Sequence, residues 1–220
     1  MVILAFVLLR LLLYARRQSE ETLKKLLTSN VDVYLERLEN NKLLKLVFRK
    51  PVLLLYRLDG YLKTGDDGKA LRTIRELDGM KLEPRDKVEF LQKRMSFFVS
   101  TGDEKEARAS LDRLRIFLHS VQADEVEKYK TMLDEGQEII RVYLDRDVSY
   151  MDALLAKAKR TEHPVLRGVM YFRLAKLAHF KGDKEETERD LRLAGETLGG
   201  TAYEEIIRQA LVGPEILETK

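Results

Sequence analysis

The segment 164–197 reads PVLRGVMYFRLAKLAHFKGDKEETERDLRLAGET, and earlier parts of the chain repeat its pattern loosely. Apolar residues recur at helical spacing on both sides of the Lys-Gly-Asp turn at 181–183, which predicts two helices joined as a hairpin. Gly182 suits the left-handed conformation that ends a helix, and Asp183 suits the N-cap of the following helix. Pro164 is typical of a first helical position, where a missing N–H costs nothing.

Three earlier segments show the same organisation. Two contain Thr-Gly-Asp turns at 64–66 and 101–103, and the third has a glycine-free turn at 147–149, with Ser149 and Asp152 as a capping pair. The second helices align on small residues, which are Ala70, Ala107, Ala153 and Thr187. Their spacings of 37, 46 and 34 residues predict an all-α protein built as an array of helical hairpins, an α-solenoid.

The fourth unit resembles the tetratricopeptide repeat (TPR), whose period is about 34 residues. Tyr171 matches the large aromatic residue of that family, Leu174 and Ala175 match its leucine and small residue, and Ala194 lies late in the second helix, as in the family. The resemblance begins near residue 50 and implies a domain of degenerate TPR-like repeats at 50–212. It also implies a scaffold for protein binding rather than an enzyme.

In the TPR family the binding surface is lined mainly by first helices, and the ligands are extended peptides or helices of other proteins. Carried over by spacing, the resemblance implies nine inward-facing residues: Leu55, Asp59, Leu62, Gln92, Ser96, Val99, Phe172, Lys176 and His179. The last three lie about one turn apart on one helix face and combine aromatic, cationic and hydrogen-bonding groups. We expect these three to form the best single patch for a protein partner.

The N-terminal end, MVILAFVLLRLLLYARR, is apolar or aromatic at fourteen of its first fifteen positions. As a helix this run is about 22 Å long, against roughly 30 Å for a hydrocarbon core, and Arg10 interrupts it. We interpret residues 1–17 as a single membrane anchor that leaves the repeat domain in the cytoplasm. The first alternative is a soluble, cytoplasmic protein in which this helix packs in its own core or in a homodimer interface. The second is a cleaved signal peptide, but the usual basic segment is missing.

Basic residues follow the apolar run and favour a cytoplasmic position or contact with anionic lipid headgroups; they are Arg16, Arg17, Lys24 and Lys25. Residues 18–49 predict an amphipathic helical linker or cap with a weak break at 28–30. Near the other end, Thr201 is expected to cap a last helix, and residues 213–220 form a tail that opens with a Gly-Pro stop signal.

No pattern in the sequence indicates catalysis or a cofactor. The chain has no cysteine and its three histidines are widely separated, which argues against thiol chemistry and the usual zinc motifs. Residues 1–50 hold ten Lys or Arg and five Asp or Glu, whereas the remainder holds thirty and thirty-two. A repeat domain that is close to neutral argues against a nucleic-acid partner. We therefore predict a non-catalytic adaptor that binds another protein and requires neither metal nor cofactor.

Overall fold

The computed structural model describes residues 2–121 and 123–218, with side chains for all of these except 2–5, 8 and 123–125. Every regular element in this part of the chain is helical, which confirms the predicted all-α class. A π-helix, Ile140–Leu144, follows α8, and 3₁₀ helices lie at Val148–Tyr150 and Pro214–Glu218. In chain order the α-helices are α1 (Val2–Ser29), α2 (Val31–Asn40), α3 (Lys42–Val47), α4 (Lys50–Thr64), α5 (Asp67–Asp78), α6 (Pro84–Ser100), α7 (Glu104–Ser120), α8 (Ala123–Ile139), α9 (Met151–Arg160), α10 (Pro164–Lys181), α11 (Lys184–Leu198) and α12 (Tyr203–Val212).

The chain divides into two compact units, Met1–Phe97 and Phe98–Lys220. In the first unit, the C-terminal half of α1 packs against α2 and α3, and α4 completes the core. The hydroxyl of Tyr34 donates a hydrogen bond of 2.7 Å to the backbone carbonyl of Tyr56, which joins α2 to α4. The buried side chains of this core are Leu23, Tyr34, Leu38, Leu44, Phe48 and Leu53.

Two asparagines separate the helices α1, α2 and α3. The side chain of Asn30 accepts a hydrogen bond from the backbone amide three residues later at 3.1 Å, and that of Asn41 accepts one from the amide two residues later at 2.8 Å. Both residues therefore act as N-caps, a role for which asparagine is among the preferred residues. The first break agrees with the one predicted at 28–30, whereas the second was not predicted. Helix α1 continues through residue 17 without interruption.

Three turns between consecutive helices share one construction, in which a left-handed glycine ends a helix and an aspartate caps the next. The glycines have positive φ angles of 68°, 78° and 81° and are Gly65, Gly102 and Gly182. Each aspartate accepts a hydrogen bond of 3.0 to 3.1 Å from the amide three residues later; these caps are Asp66, Asp103 and Asp183. A side chain would strain the left-handed conformation, so glycine is favoured there. The predicted chemistry of these turns is confirmed.

The connection before α9 differs from its prediction. Helix α8 passes into the π-helix, and Arg146 then takes a positive φ of 51°. The cap is Asp147, whose carboxylate accepts a hydrogen bond from the backbone amide of Ser149 at 3.1 Å. The predicted capping pair of Ser149 and Asp152 was therefore wrong. The reason is that a 3₁₀ turn precedes α9, so the amides that need a cap lie beside Asp147.

Helix α10 is the central element of the second unit. It packs against α9, α11, the π-helix and the C-terminal 3₁₀ helix. Gly168 permits the close approach of α11, because a Cβ atom at this position would lie 2.2 Å from Oγ1 of Thr197. Leu174 and Leu177 belong to a core cluster shared with α9, while Phe172 belongs to a second cluster shared with α11 and α12. α10 is thus buried on more than one side.

Candidate functional site

The N-terminal half of α1 presents large apolar side chains to solvent. Their exposed fractions lie between 48% and 65%, and they are Phe6, Val7, Leu9, Leu11, Leu13 and Tyr14. We call residues 6–14 the apolar arm. Arg10 interrupts it, with the guanidinium carbon 5.0 Å from the ring centre of Phe6. Leu23, further along the same helix, is buried in the core of the first unit. The described side chains of the apolar arm are therefore outside the protein's own core.

Within residues 2–121 and 123–218, no helix combines the length and the apolar character needed to cross a membrane. Helix α1 has 28 residues and extends to roughly 40 Å at about 1.5 Å per residue. Its second half is polar, because six of the ten residues from 16 to 25 are charged. One continuous helix therefore joins an exposed apolar half to a half that packs against the folded body.

The basic residues after the apolar arm are at the surface of α1. Arg16 and Arg17 each pair with a glutamate one turn later, at 3.1 and 3.3 Å. Such exposed pairs at i,i+4 spacing contribute only a few tenths of a kcal/mol. Lys24 and Lys25 are exposed. All four cations are accessible to solvent, although the two arginines already have acidic neighbours. Their contact with lipid headgroups stays a prediction.

The three residues expected to form a patch on α10 are largely covered. Phe172 is 4% exposed, and its ring packs edge-on against Tyr203 with ring centres 5.1 Å apart. Lys176 is only 3% exposed. Burial lowers the pKa of Lys176 to about 8, and the positive charge of Arg146 contributes in the same direction. His179 is partly buried. A partner could reach Phe172 and Lys176 only if something that covers them moved.

The C-terminal 3₁₀ helix, Pro214–Glu218, covers much of this face of α10. Nζ of Lys176 donates a hydrogen bond to the backbone carbonyl of Leu217. Nε2 of His179 lies 3.4 Å from a carboxylate oxygen of Glu218. The side chain of Leu217 is 1% exposed and belongs to the same core cluster as Phe172. A short segment of the chain itself thus occupies the expected binding face of α10.

Two cavities adjoin this 3₁₀ helix. The first has a volume of about 230 Å³ and is lined by Tyr143, Phe172, Lys176, Ala202, Tyr203, Ile206 and Ile216. The second has a volume of about 400 Å³ and lies among the α10–α11 turn, α11, the end of α12 and the first residues of the 3₁₀ helix. Its lining includes His179, Asp183, Leu191, Leu211, Pro214 and Glu215. The segment therefore leaves unfilled space along the face that it covers.

The remaining residues implied by the TPR resemblance differ in exposure. Asp59 of α4 forms an ion pair with Lys93 of α6. Burial by itself lowers the pKa of Lys93, but the charges of Asp59 and Glu89 outweigh it and raise that pKa. Asp59 is thus already engaged by a neighbouring helix, and a role for these residues in binding stays a prediction. Leu55 and Val99 are buried, Asp59, Leu62 and Gln92 are partly buried, and Ser96 is exposed.

A buried ion network joins α8, α9 and α10. Glu138, which is 1% exposed, accepts hydrogen bonds from Arg173, from Lys157 at 2.8 Å and from the hydroxyl of Tyr150 at 3.2 Å. Burial raises the pKa of Glu138, but the hydrogen bonds and charges of Lys157 and Arg173 outweigh it and lower that pKa. The carboxylate is therefore ionised at neutral pH. Sequence reasoning missed the network, because its members are on separate helices.

Comparison of the chain with family models, with curated proteins and with solved structures finds no match. In the part of the chain that the structure describes, no three His, Asp or Glu side chains converge in a way that could hold a metal ion. What the protein does is therefore inferred from two features of its own geometry. These features are the apolar arm of α1 and the covered face of α10.

Proposed function

We propose that the protein is a non-catalytic adaptor, built from TPR-like helical hairpins, that is attached to a membrane by the apolar arm of α1. The observation that carries the proposal is the exposure of six large apolar side chains within nine residues of one helix. Large apolar patches on soluble proteins usually mark a place where a membrane or another protein binds. The body of the protein remains on the cytoplasmic side of that membrane.

The distribution of these side chains around α1 favours lipid over a protein groove. At about 100° per residue, the exposed side chains of the apolar arm spread over more than half of the helix circumference. A helix that packs on one protein surface needs an apolar stripe only roughly 100° wide. Lipid instead surrounds a helix on all sides. Arg10 is compatible with this setting, because a long side chain can extend its charge to the interface.

The length and attachment of the N-terminal half of α1 agree with a tether that enters the bilayer without crossing it. Residues 2–15 extend about 21 Å as a helix, which is shorter than the roughly 30 Å hydrocarbon core. The second half of α1 packs against α2 and α3, so the arm is joined rigidly to the folded body. Arg16 and Arg17 follow directly, at the depth where basic residues meet lipid headgroups.

The adaptor part of the proposal is supported by the three Gly-Asp turns, by the packing of α4 on α5 and of α10 on α11, and by the TPR resemblance of residues 164–197. Arrays of helical hairpins present extended surfaces to which peptides and helices of other proteins bind. The neutral balance of charge outside residues 1–50 is consistent with a protein partner rather than a nucleic acid. The tether would place this partner at the membrane surface.

Vesicle flotation tests the tether. We expect the full chain to float with vesicles of phosphatidylcholine and phosphatidylserine. A variant that carries Leu9→Ser, Leu11→Ser and Leu13→Ser is expected to remain in the soluble fraction. Burying one leucine side chain contributes about 1.5–3 kcal/mol, so the triple substitution should lower partitioning on the order of a thousandfold or more.

A matched control replaces three apolar side chains that are exposed elsewhere, at 71%, 69% and 90%, by Leu46→Ser, Ile116→Ser and Val212→Ser. This control should float like the unmodified chain. Equal loss of flotation in both triple variants would show that the arm has no special role. If the full chain does not float with vesicles but forms a dimer through the arm without lipid, the tether is wrong and the homodimer alternative is supported.

A further inference from the structure

The C-terminal 3₁₀ helix contacts α10 through groups that a segment of another protein could also supply. Its contacts include the backbone carbonyl and the buried side chain of Leu217, the partly buried side chain of Ile216 and the carboxylate of Glu218. The matching groups are Lys176, the core cluster that includes Phe172, and His179. A segment that forms the same 3₁₀ turn, with apolar residues followed by an acidic one, offers the same kinds of group. We call this arrangement of α10 residues the α10 seat.

The present occupant fills the α10 seat incompletely. Cavities of about 230 and 400 Å³ adjoin Ile216 on one side and Pro214 and Glu215 on the other. Both spaces open to solvent, so they are grooves beside the segment rather than voids in the interior. A segment with longer apolar side chains, or with more residues, could fill this space and make additional contacts. The geometry thus leaves room for a ligand that binds better than the chain's own segment.

Positive charge lies on the Phe180 side of the α10 seat, whereas the lining of the second cavity includes the carboxylates of Asp183, Glu188 and Glu215. Lys176 is joined there by Arg146, whose guanidinium carbon lies 4.5 Å from the ring centre of Phe180. Nζ of Lys176 lies 5.9 Å from the same ring and 5.0 Å from that of Tyr143. The acidic residue of the proposed ligand is inferred from the contact between the carboxylate of Glu218 and His179.

We propose that Pro214–Glu218 is an internal occupant of the α10 seat, and that a segment of a partner protein displaces it. The displacing segment carries an apolar residue followed by an acidic residue. This inference rests on the proposed adaptor function, for which it supplies the binding site and the chemistry of the ligand. It also implies that partner binding is regulated, because residues 214–218 block the α10 seat until a segment of matching chemistry displaces them.

Competition of this kind lowers the apparent affinity for an external ligand. When the binding-competent state is a small fraction of the population, the apparent dissociation constant rises by the inverse of that fraction. The occupant is part of the same chain, so its effective concentration is high, in the millimolar range for short linkers. Loosening the occupant should therefore strengthen binding of an external segment without any change in the seat itself.

The test uses a labelled peptide, acetyl-GPEILE-amide, and fluorescence anisotropy with the full chain. Leu217→Asp places a charge where the structure buries an apolar side chain, which should release residues 214–218. We expect this variant to bind the peptide at least tenfold more tightly than the unmodified chain. Adding Lys176→Met to Leu217→Asp removes the ammonium donor at nearly constant side-chain length and should abolish the gain.

The matched control is Val212→Asp, a similar change at a side chain that is 90% exposed. This variant should bind the peptide as weakly as the unmodified chain does. Equal affinities in the unmodified chain and in a Leu217→Asp variant of native helicity would overturn the proposal. So would a dimer of the unmodified chain that Leu217→Asp dissociates, because the α10 seat would then hold the segment of a second copy.

If Leu217→Asp unfolds the second unit, the peptide assay cannot be used. Hydrogen exchange of the unmodified chain then tests whether residues 214–218 leave the α10 seat. We expect the amides of residues 216–218 to exchange at least a hundredfold faster than those of residues 174–177 in α10. Equal protection would mean that the 3₁₀ helix is permanent core, which would overturn the proposal. These readouts are independent of the apolar arm. Failure of vesicle flotation would therefore reject the tether and leave the α10 seat standing, and failure of peptide binding would do the reverse.

Discussion

The apolar arm of α1 and helix α10 are both rich in apolar residues, but they have opposite surroundings. Leu11 and Leu13 in the arm are 59% and 57% exposed, whereas Leu174 and Leu177 in α10 are 2% and 0% exposed. α10 has neighbours on several sides, since α9, α11, the π-helix and a 3₁₀ helix all pack against it. The comparison shows that an apolar sequence is buried only where the fold brings other helices to it.

The cations in the two helices show the same contrast between exposure and burial. Arg10 interrupts the arm at an exposed position, where water can solvate its charge. Arg173 and Lys176 are buried in α10, and each has a specific acceptor, the carboxylate of Glu138 and the carbonyl of Leu217. A buried charge is tolerated only when it is paired or hydrogen-bonded. Removing an acceptor should therefore be costly in α10, and changes in the arm should cost little in water.

The largest expected effect is that of Glu138→Gln, which removes the carboxylate that pairs with Arg173. Leaving one charge of a buried ion pair uncompensated typically costs about 3–5 kcal/mol. Glu135, which is half exposed and lies 3.6 Å from Arg173, still compensates part of the charge. We therefore expect a loss in the free energy of unfolding near the lower end of this range. Urea denaturation followed by circular dichroism at neutral pH would measure it.

Glu188→Gln is the control for this prediction. Glu188 pairs with Arg192 at 2.5 Å, but both side chains are more than half exposed. Exposed ion pairs contribute about 0–1 kcal/mol. A loss at Glu188 as large as that at Glu138 would mean that burial of the ion network does not determine its energy. The contrast between the two helices would then not extend to their charges.

The same substitution in both helices tests the contrast between apolar residues directly. Leu177→Ala should lower the free energy of unfolding by about 2–5 kcal/mol, because it leaves a cavity in a packed core. Leu11→Ala should change it by less than about 0.5 kcal/mol in water, as expected for an exposed position. The measurement is urea denaturation of both variants under identical conditions, without lipid.

Measuring the lipid binding of the same two variants, Leu11→Ala and Leu177→Ala, tests the contrast in the presence of vesicles. Leu11→Ala should then weaken lipid binding, while Leu177→Ala should leave the binding of the folded chain unchanged. A large destabilisation by Leu11→Ala in water would place the apolar arm in a core or in a dimer interface, contrary to its exposure in the structure.

Local chemistry explains which parts of the fold could be predicted. The Gly-Asp turns at Gly65, Gly102 and Gly182 depend on two adjacent residues and their backbone requirements. They were therefore visible in the sequence, as was the all-α class in the helical spacing of apolar residues. The second break, at Asn41, had the same kind of signal, because asparagine is a preferred N-cap. The shift of the cap to Asp147 had no such local signal, because it depends on a 3₁₀ turn that the spacing of residues does not reveal.

The candidate site was less predictable because it depends on contacts between distant residues. Spacing placed Phe172, Lys176 and His179 on one face of a helix, but it could not show that residues 214–218 cover that face. The hydrogen bond from Lys176 to Leu217 joins positions 41 residues apart. The ion pair between Glu138 and Arg173 spans 35 residues. Side-chain type indicates which residues are able to interact, and only the fold determines which of them meet.

The smallest predicted effect concerns the pH dependence of stability, and it compares the buried cation of α10 with an exposed one. Burial lowers the pKa of Lys176 to about 8, whereas lysine in an unfolded chain titrates near 10.4. Between these values the unfolded chain binds more protons than the folded one, so the free energy of unfolding rises with pH. Relative to a Lys176→Met variant, the unmodified chain should gain about 1–2 kcal/mol between about pH 7.5 and 9.5.

Urea denaturation at these two pH values measures the gain, and Lys184→Met is the control because Lys184 is exposed. The control variant should keep the rise seen in the unmodified chain, whereas Lys176→Met should lack it. If all three chains changed in parallel, Lys176 would be as well solvated in the folded chain as in the unfolded one. Its cover by residues 214–218 would then be too loose to exclude water, and the α10 seat would be open rather than occupied.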